Sequence, residues 1–175
     1  MSCATVHKPA IADQARKLLT YFAAGAGPER VGLSMSVGPC FEAYTAGTEA
    51  SPWLDGSEHG EQVVLFRFLS LLAKDWPELV AAIHAVPNGG LRSKAAAGKL
   101  KAEGVKAGVP DICVPVASSG FSSLRIELKA SDGGKLTASQ KALIPAFVAL
   151  GNRVTVCHGW KAAANEIINY LWPDV

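Results

Sequence analysis

The stretch that decides the fold lies between residues 108 and 129 and reads GVPDICVPVASSGFSSLRIELK. Residues 112–116 and 124–128 are rich in apolar and β-branched side chains, which is typical of short buried strands. The seven residues between them are mostly small, so they predict a turn centred near Ser119 and Gly120. This part of the chain is therefore predicted to be an antiparallel β-hairpin.

Charged side chains are placed together at one end of this predicted hairpin. Because side chains alternate along a strand, Arg125, Glu127 and Lys129 should share the face that points away from the core. With the turn in its predicted position, Asp111 falls opposite Glu127 and Lys129 on the other strand. Two carboxylates and an ammonium group are thus expected to converge.

Carboxylates that are held close together repel each other and favour a bound cation. Their hard oxygen ligands suit Mg²⁺ or Mn²⁺, either of which can lower the pKa of a bound water and neutralise charge that develops at phosphorus. Lys129 would then position the water, accept its proton or stabilise the transition state. The alternative interpretation is a solvated face with a surface ion pair of little energetic consequence.

The hairpin is surrounded by further short motifs. Pro110-Asp111 followed by Glu127-Leu128-Lys129 resembles the signature of the PD-(D/E)XK nuclease superfamily. The other motifs are PNGGLR at 87–92, LKAEGVKAGVPD at 100–111, GGKLT at 133–137, QK at 140–141, VTVC at 154–157 and GW at 159–160. As an ordered set, over roughly residues 58–172, they resemble the VRR-NUC family, the stand-alone virus-type replication-repair nucleases.

The resemblance implies an α/β fold, the restriction-endonuclease-like PD-(D/E)XK core, in which a mixed β-sheet is flanked by α-helices. The residue patterns agree, since from residue 58 they predict a helix, a possible strand, a helix, two strands, a helix, a strand and a helix. We expect the nuclease domain to occupy residues 57–175. Residues 1–56 would form an extension, with a helix at 10–24 followed by a Gly/Pro-rich segment.

The resemblance also implies that a glutamate of the first helix completes the metal site. Ser57 is a plausible N-cap for a helix from Glu58 to about Lys74. Glu58, followed by Gln62, fits the family's Glu-x-x-x-Gln arrangement better than Glu61 does, and we favour it. The two glutamates lie one turn apart, so the choice stays open. The expected metal ligands are Glu58, Asp111, Glu127 and the carbonyl of Leu128.

Further site residues follow from the resemblance. Thr137 is a plausible N-cap for a helix to about Leu150, and Gln140 in its first turn is expected to face the catalytic site. A helix at 92–103, ended by Gly104, is expected beside the site. The expected phosphate contacts are Arg92, Lys94 and Lys135.

Composition excludes few classes of function. A net charge of +2 and a pI near 8.4 are too mild to indicate nucleic acid on their own. The four cysteines form no Cys-x-x-Cys pair, and Cys113 and Cys157 are predicted to be reduced core residues. His84, in an apolar run, is predicted to be a buried histidine rather than a base. No stretch approaches membrane length, so we expect no membrane partner and a cytoplasmic, nucleoid-associated protein of a prokaryotic or phage-infected cell.

Together the residue patterns and the resemblance imply an Mg²⁺- or Mn²⁺-dependent endonuclease that hydrolyses DNA phosphodiesters. What the resemblance implies for the substrate is branched DNA, with a four-way (Holliday) junction favoured and a homodimer as the working form. Two alternatives remain open. One is a restriction-like or defence nuclease that cuts ordinary duplex, and the other is a catalytically silent DNA-binding module on the same fold.

Overall fold

The computed structural model describes residues 41, 44–45, 51–87 and 94–173. The helix predicted at 10–24 and the expected phosphate contact Arg92 lie outside the described residues. In chain order the elements are α1 (Glu58–Leu72), α2 (Pro77–Ala82), β1 (His84–Ala85), α3 (Lys94–Ala102), β2 (Ile112–Val114), β3 (Leu124–Lys129), α4 (Ala138–Ala149), β4 (Arg153–His158) and α5 (Gly159–Leu171).

A four-stranded sheet with the order β1-β2-β3-β4 lies at the centre of the fold. β2 pairs antiparallel with both β1 and β3, whereas β3 and β4 are parallel, so the sheet is mixed. Ile112 is paired with Ile126, and Val114 with Leu124, which confirms the predicted hairpin. This register places Asp111 beside Glu127. The predicted α/β architecture is thereby confirmed.

The hairpin turn has the geometry that its small residues predict. Ser119 and Gly120 both have positive φ angles, of 52° and 81°, as a tight two-residue hairpin turn requires. Ser118 and Phe121 exchange backbone hydrogen bonds of 3.1 and 2.9 Å on either side of the turn. The turn is therefore centred where the sequence predicts it.

Helices cover both faces of the sheet. On one face lie α1 and α5, and there Glu166 of α5 accepts a hydrogen bond from Thr155 and pairs with Arg153 at 2.7 Å. On the other face α4 lies near β4, and the Arg125 guanidinium carbon is 5.3 Å from the centroid of the Phe147 ring. None of the α4 residues is fully buried, so this helix lies at the surface of the protein.

The hydrophobic core fills the space between the sheet, α1 and α5. Burial of its apolar side chains is the main stabilising contribution to the fold. Cys113 and Cys157 are buried free thiols, as predicted. The fully buried side chains include Leu65, Phe68, Ile112, Leu124, Ile126, Leu128, Ile167, Tyr170, Leu171 and Trp172.

Two aromatic side chains from the part of the chain before residue 57 pack on this core. The Phe41 ring lies 5.4 Å from the Phe68 ring, and the Tyr44 ring lies 5.4 Å from the Trp160 ring. The Tyr44 hydroxyl also donates a hydrogen bond of 3.0 Å to the Val64 carbonyl. These residues therefore contribute to the fold. The domain boundary at residue 57 stays a prediction.

Three local expectations are adjusted by the structure. α1 ends at Leu72 rather than near Lys74, and the α3 helix ends at Ala102, one residue before the predicted end. The prediction that His84 is buried is wrong, because it lies on a short strand at the edge of the sheet with its ring exposed. Across the described ranges no helix is both long enough and apolar enough to cross a membrane.

Candidate active site

Asp111 and Glu127 meet at the open end of the β2–β3 hairpin, as the register requires. Their carboxyl groups lie within hydrogen-bond reach of each other. Asp111 is held in place because its Oδ2 accepts a hydrogen bond of 3.0 Å from the Leu128 N–H. The predicted convergence of the two carboxyl groups is thus present in the structure.

Lys129 joins this pair from the same face of β3. Its Nζ lies 2.7 Å from Glu127 Oε1 and 3.2 Å from Glu58 Oε1, so the ammonium group bridges two carboxylates. The Lys129 side chain is 6% exposed, whereas that of Glu58 is 53% exposed. The pair between Lys129 and Glu127 is therefore a buried ion pair, in which loss of one partner is costly. The outer contact to Glu58 is open to solvent.

Glu127 is the innermost group of the cluster and is fully buried. Its Oε1 accepts hydrogen bonds from both Lys129 and the side-chain amide of Gln140. Its Oε2 is also buried, and no N–H donor of the described residues bonds to it. Buried polar atoms nearly always have a partner, so an orphan acceptor at this position indicates a place for a missing donor or cation.

Burial shifts the ionisation of these groups. Burial raises the pKa of the Glu127 carboxyl to about 7, and the negative charge of Asp111 adds to the rise although Lys129 opposes it. Burial also raises the pKa of Asp111, against the hydrogen bond from the Leu128 N–H. For Lys129 burial lowers the pKa, but the hydrogen bond and charge of Glu127 outweigh it and the net pKa is raised. Without a further cation, the cluster therefore tends to keep a proton.

The two glutamates of α1 have different surroundings. Glu58, the first residue of the helix after the Ser57 N-cap, points to Lys129. Glu61 is buried, and its Oε2 accepts a hydrogen bond of 2.8 Å from the Trp160 N–H in the first turn of α5. Of the two, Glu58 is the one that lies at the carboxylate cluster, whereas Glu61 supplies the otherwise missing cap of α5.

Gln140 is oriented by the start of its own helix. Thr137 and Gln140 form a capping box, in which the Thr137 N–H donates to Gln140 Oε1 at 2.7 Å. With its oxygen held there, the Gln140 amide nitrogen is free to donate to Glu127. Gln140 therefore faces the cluster, and its side chain is anchored to the backbone of Thr137.

Two glycines allow the surrounding loops to approach closely. Gly108 has a φ of +87°, and a Cβ there would lie 2.5 Å from the backbone of Ser139 in α4. Gly134 has a φ of +128°, and its Cβ would lie 2.9 Å from Cδ of Lys129. The first glycine brings the start of α4 to the hairpin, and the second leaves room for the buried lysine stem.

The remaining expected site residues occupy different parts of the fold or lie outside the described residues. Lys135 is exposed in the loop between β3 and α4, Lys94 begins α3, and Arg92 lies outside the described residues. Leu128 contributes its N–H to Asp111, and a metal contact of its carbonyl stays a prediction. In the described part of the chain, no three His, Cys, Asp or Glu side chains are grouped so that they could hold a metal ion.

Two residues near the cluster, Gly134 and Arg125, were not predicted from the sequence to belong to the site. The role of Gly134 was missed because its contact with Lys129 depends on the path of the following loop. Arg125 was placed on the correct face of β3 but given no role. Its Nε is buried without a hydrogen-bond partner. The alternation of charged residues at 125, 127 and 129 was a signal that could have identified it.

Comparison with known proteins agrees with this geometry. The family model described as VRR-NUC domain matches residues 58–161, which is more than half of the chain. A solved structure described as a VRR_NUC domain protein has a TM-score of 0.52 and is 27% identical, covering 66% of this chain and 88% of that chain. No curated protein matches. The family match and the sheet with its carboxylate pair lead to one conclusion: this chain belongs to the VRR-NUC domain family.

Proposed function

We propose that this protein is a metal-dependent endonuclease that hydrolyses DNA phosphodiester bonds. The observation that carries the proposal is the contact of Asp111 and Glu127 beside Lys129, in a chain whose family has a nuclease-type fold. A protein that only binds DNA has no need for two carboxyl groups in contact, because they repel phosphate. A nuclease needs them to hold a cation.

The two carboxyl groups in contact are donors that suit Mg²⁺ or Mn²⁺, although as placed no third His, Cys, Asp or Glu side chain of the described residues is grouped with them to hold a metal ion. Asp111 and Glu127 supply hard oxygen atoms, and no N–H donor of the described residues bonds to the buried Oε2 of Glu127. Glu58, which now binds Lys129 at 3.2 Å, and the carbonyl of Leu128 complete the proposed ligand set. When bound, the metal would supply Lewis-acid chemistry, with a lowered pKa of water and neutralisation of charge on the phosphate.

Side chains of the protein orient the attacking water, position Glu127 and bind the DNA phosphates. Lys129 has a raised pKa and keeps its proton, so it acts as an ammonium group that orients the attacking water and offsets charge at phosphorus. Gln140 holds Glu127 in place through its hydrogen bond and is itself fixed by the capping box. Arg92, Lys94 and Lys135 hold phosphates of the DNA.

For the substrate we propose branched DNA, with a four-way junction preferred, and for the active form a homodimer. The support is the resemblance to the VRR-NUC family, which implies branched DNA as the substrate and a homodimer as the working form. A symmetric junction presents two equivalent strands, and a dimer with twofold symmetry presents two equivalent sites to cut them.

The test uses labelled four-way junction, 5′ flap and linear duplex, each incubated with Mn²⁺, Mg²⁺ or EDTA. The wild type is compared with Asp111→Asn, which keeps the shape of the side chain but removes its charge. Asp132→Asn is the matched control, because Asp132 is an exposed aspartate in the loop after β3. Analytical ultracentrifugation of the same preparations, with and without junction, measures the oligomeric state.

The expected result is paired, metal-dependent nicking of the junction that Asp111→Asn loses and Asp132→Asn retains. If the protein prefers flaps or linear duplex, the proposed nuclease activity stands but the proposed substrate is wrong. If the protein cuts the junction as a monomer, the proposed homodimer is wrong. If the folded protein binds DNA but cuts none of the three substrates with either metal, it is a DNA-binding module and not an enzyme.

A further inference from the structure

Arg125 lies on the same face of β3 as Glu127, two residues before it. Side chains two positions apart on a strand are separated by roughly 7 Å, so Arg125 occupies the next position along the sheet from the carboxylate pair. Its cross-strand partner on β2 is Cys113, a buried neutral thiol. Arg125 is thus a cation placed beside the candidate site without a charged neighbour across the strand.

No carboxylate of the described residues forms an ion pair with the guanidinium of Arg125. Its Nε is buried without a hydrogen-bond acceptor among these residues. The half-buried Arg153, by contrast, pairs with Glu166, and the buried Lys129 pairs with Glu127. Nε itself is shielded from solvent, but Arg125 as a whole is only half-buried, so part of this unpaired cation remains open to an anion from outside the chain.

The orientation of Arg125 is nevertheless defined. Its guanidinium carbon lies 5.3 Å from the ring centroid of Phe147 on α4, which is a cation–π contact. A guanidinium carries its five N–H donors in the plane of the group, so an arginine held over a ring can still donate hydrogen bonds. The side chain is therefore pre-organised, with donors left over for a planar, bidentate interaction.

We propose that Arg125 binds a phosphate of the DNA strand adjacent to the phosphate that is cleaved. This assignment rests on the proposed function, because it assumes that the scissile phosphate is held at Asp111 and Glu127. An arginine fork suits phosphate oxygens, and the offset of two residues from Glu127 is about the length of one nucleotide along a backbone. Arg125 and the carboxylate pair then contact one strand in succession along β3.

The experiment measures DNA binding of Arg125→Met and Arg125→Lys by fluorescence anisotropy over a series of salt concentrations, with Ca²⁺ as the metal. Met keeps an apolar stem against Phe147 but removes the charge, and Lys keeps the charge without the fork. Arg67→Met is the matched control, because the exposed Arg67 also stacks on an aromatic ring, that of Trp53, at 5.1 Å. Thermal unfolding of each free protein separates binding from folding.

We expect Arg125→Met to bind duplex DNA about tenfold more weakly, as loss of a charged hydrogen bond implies. The slope of log K against log salt should fall by about 0.9, which corresponds to one phosphate contact. Arg125→Lys should recover part of the affinity, and Arg67→Met should match the wild type. In cleavage assays the KM should rise while kcat changes less, because the residue binds a non-reacting phosphate.

Unchanged affinity and salt slope in Arg125→Met would overturn the inference, and so would weaker binding with an unchanged slope, which indicates a contact other than phosphate. A loss of thermal stability without a change in binding would make Arg125 a structural residue. In each of these cases the wild type still binds and cleaves DNA, so the proposed function stands. A wild type that neither binds nor cleaves would overturn both.

Discussion

At the scale of single residues, Glu127 organises the site. Lys129 and Gln140 both bind its Oε1, while no N–H donor of the described residues bonds to its Oε2. Each neighbour is in turn positioned by something outside the cluster, Lys129 by the space at Gly134 and Gln140 by the capping box. The precision of the site therefore depends on residues that carry no charge.

Gly134→Ala tests this dependence, with Gly133→Ala as its matched control. Both glycines have positive φ, of +128° and +145°, so both variants carry similar backbone strain. A Cβ at Gly134 would meet Lys129, whereas a Cβ at Gly133 would have nothing within 4 Å. We expect initial cleavage rates to fall at least about tenfold in Gly134→Ala alone, as displacement of a catalytic group implies. Equal rates in the two variants would contradict a positioning role.

A second pair of variants distinguishes the roles of the two glutamates of α1. Glu61→Ala should lower the free energy of unfolding by about 1–3 kcal/mol, because it leaves the Trp160 N–H buried without an acceptor. Glu58→Ala should change it by less than about 0.5 kcal/mol, since Glu58 is largely exposed, but should reduce cleavage. Urea unfolding and cleavage rates measure the two effects. An inactive but stable Glu61→Ala, beside an active Glu58→Ala, would reverse the assignment.

At the scale of elements, the β2–β3 hairpin is fixed at both of its ends. At the open end, Asp111 binds the Leu128 N–H at 3.0 Å. At the turn, the Tyr170 hydroxyl of α5 donates to the Val116 carbonyl at 2.5 Å and accepts from the Ser118 N–H at 3.2 Å. The last helix of the chain therefore holds the turn of the hairpin that carries the site.

Removal of this anchor should weaken the whole fold. Tyr170→Phe deletes the hydroxyl and leaves the Val116 carbonyl without this donor, while the Ser118 N–H keeps its bond to the Phe121 carbonyl, so we expect a loss of about 1–3 kcal/mol in urea unfolding. Ser122→Ala removes an exposed hydroxyl that donates to the Gly151 carbonyl and should cost less than about 0.5 kcal/mol. A Tyr170→Phe protein as stable as wild type would show that the turn does not need the anchor.

At the scale of the whole molecule, the carboxylate pair costs folding free energy when no cation is bound. In the unfolded chain Glu127 has a pKa near 4.5, and in the folded protein burial raises it to about 7. The folded state therefore binds more protons than the unfolded state between these values. Stability should fall as pH rises from about 4.5 to about 7, and the full penalty should apply above pH 7.

Unfolding in EDTA between pH 5 and pH 8 measures this dependence, with Glu127→Gln as the variant. We expect the fall in stability over this range to be smaller in Glu127→Gln, because the amide does not titrate. Mn²⁺ should raise the melting temperature of the wild type, since it binds only the folded state, and should raise that of Asp111→Asn less. A melting temperature of the wild type that Mn²⁺ does not change would contradict the metal site by a measurement independent of cleavage.

Much of the fold follows from local signals in the sequence. The hairpin, its turn at Ser119 and Gly120, and the N-caps Ser57 and Thr137 were all predicted and are confirmed. These features depend on φ preferences, side-chain alternation and hydrogen bonds within a few residues, so neighbouring residues carry the information. Helix ends were predicted to within about two residues for the same reason.

By itself, the sequence determined the order of the elements other than α2, and the convergence of Asp111, Glu127 and Lys129, because strand register and alternation suffice to place these three residues. Only the tertiary structure decided that Glu58 and not Glu61 lies at Lys129, and that Nε of Arg125 is buried without an acceptor among the described residues. These outcomes depend on contacts between elements far apart in the chain. Residues one helical turn apart have nearly the same local environment, so only packing against β3 and α5 distinguishes them.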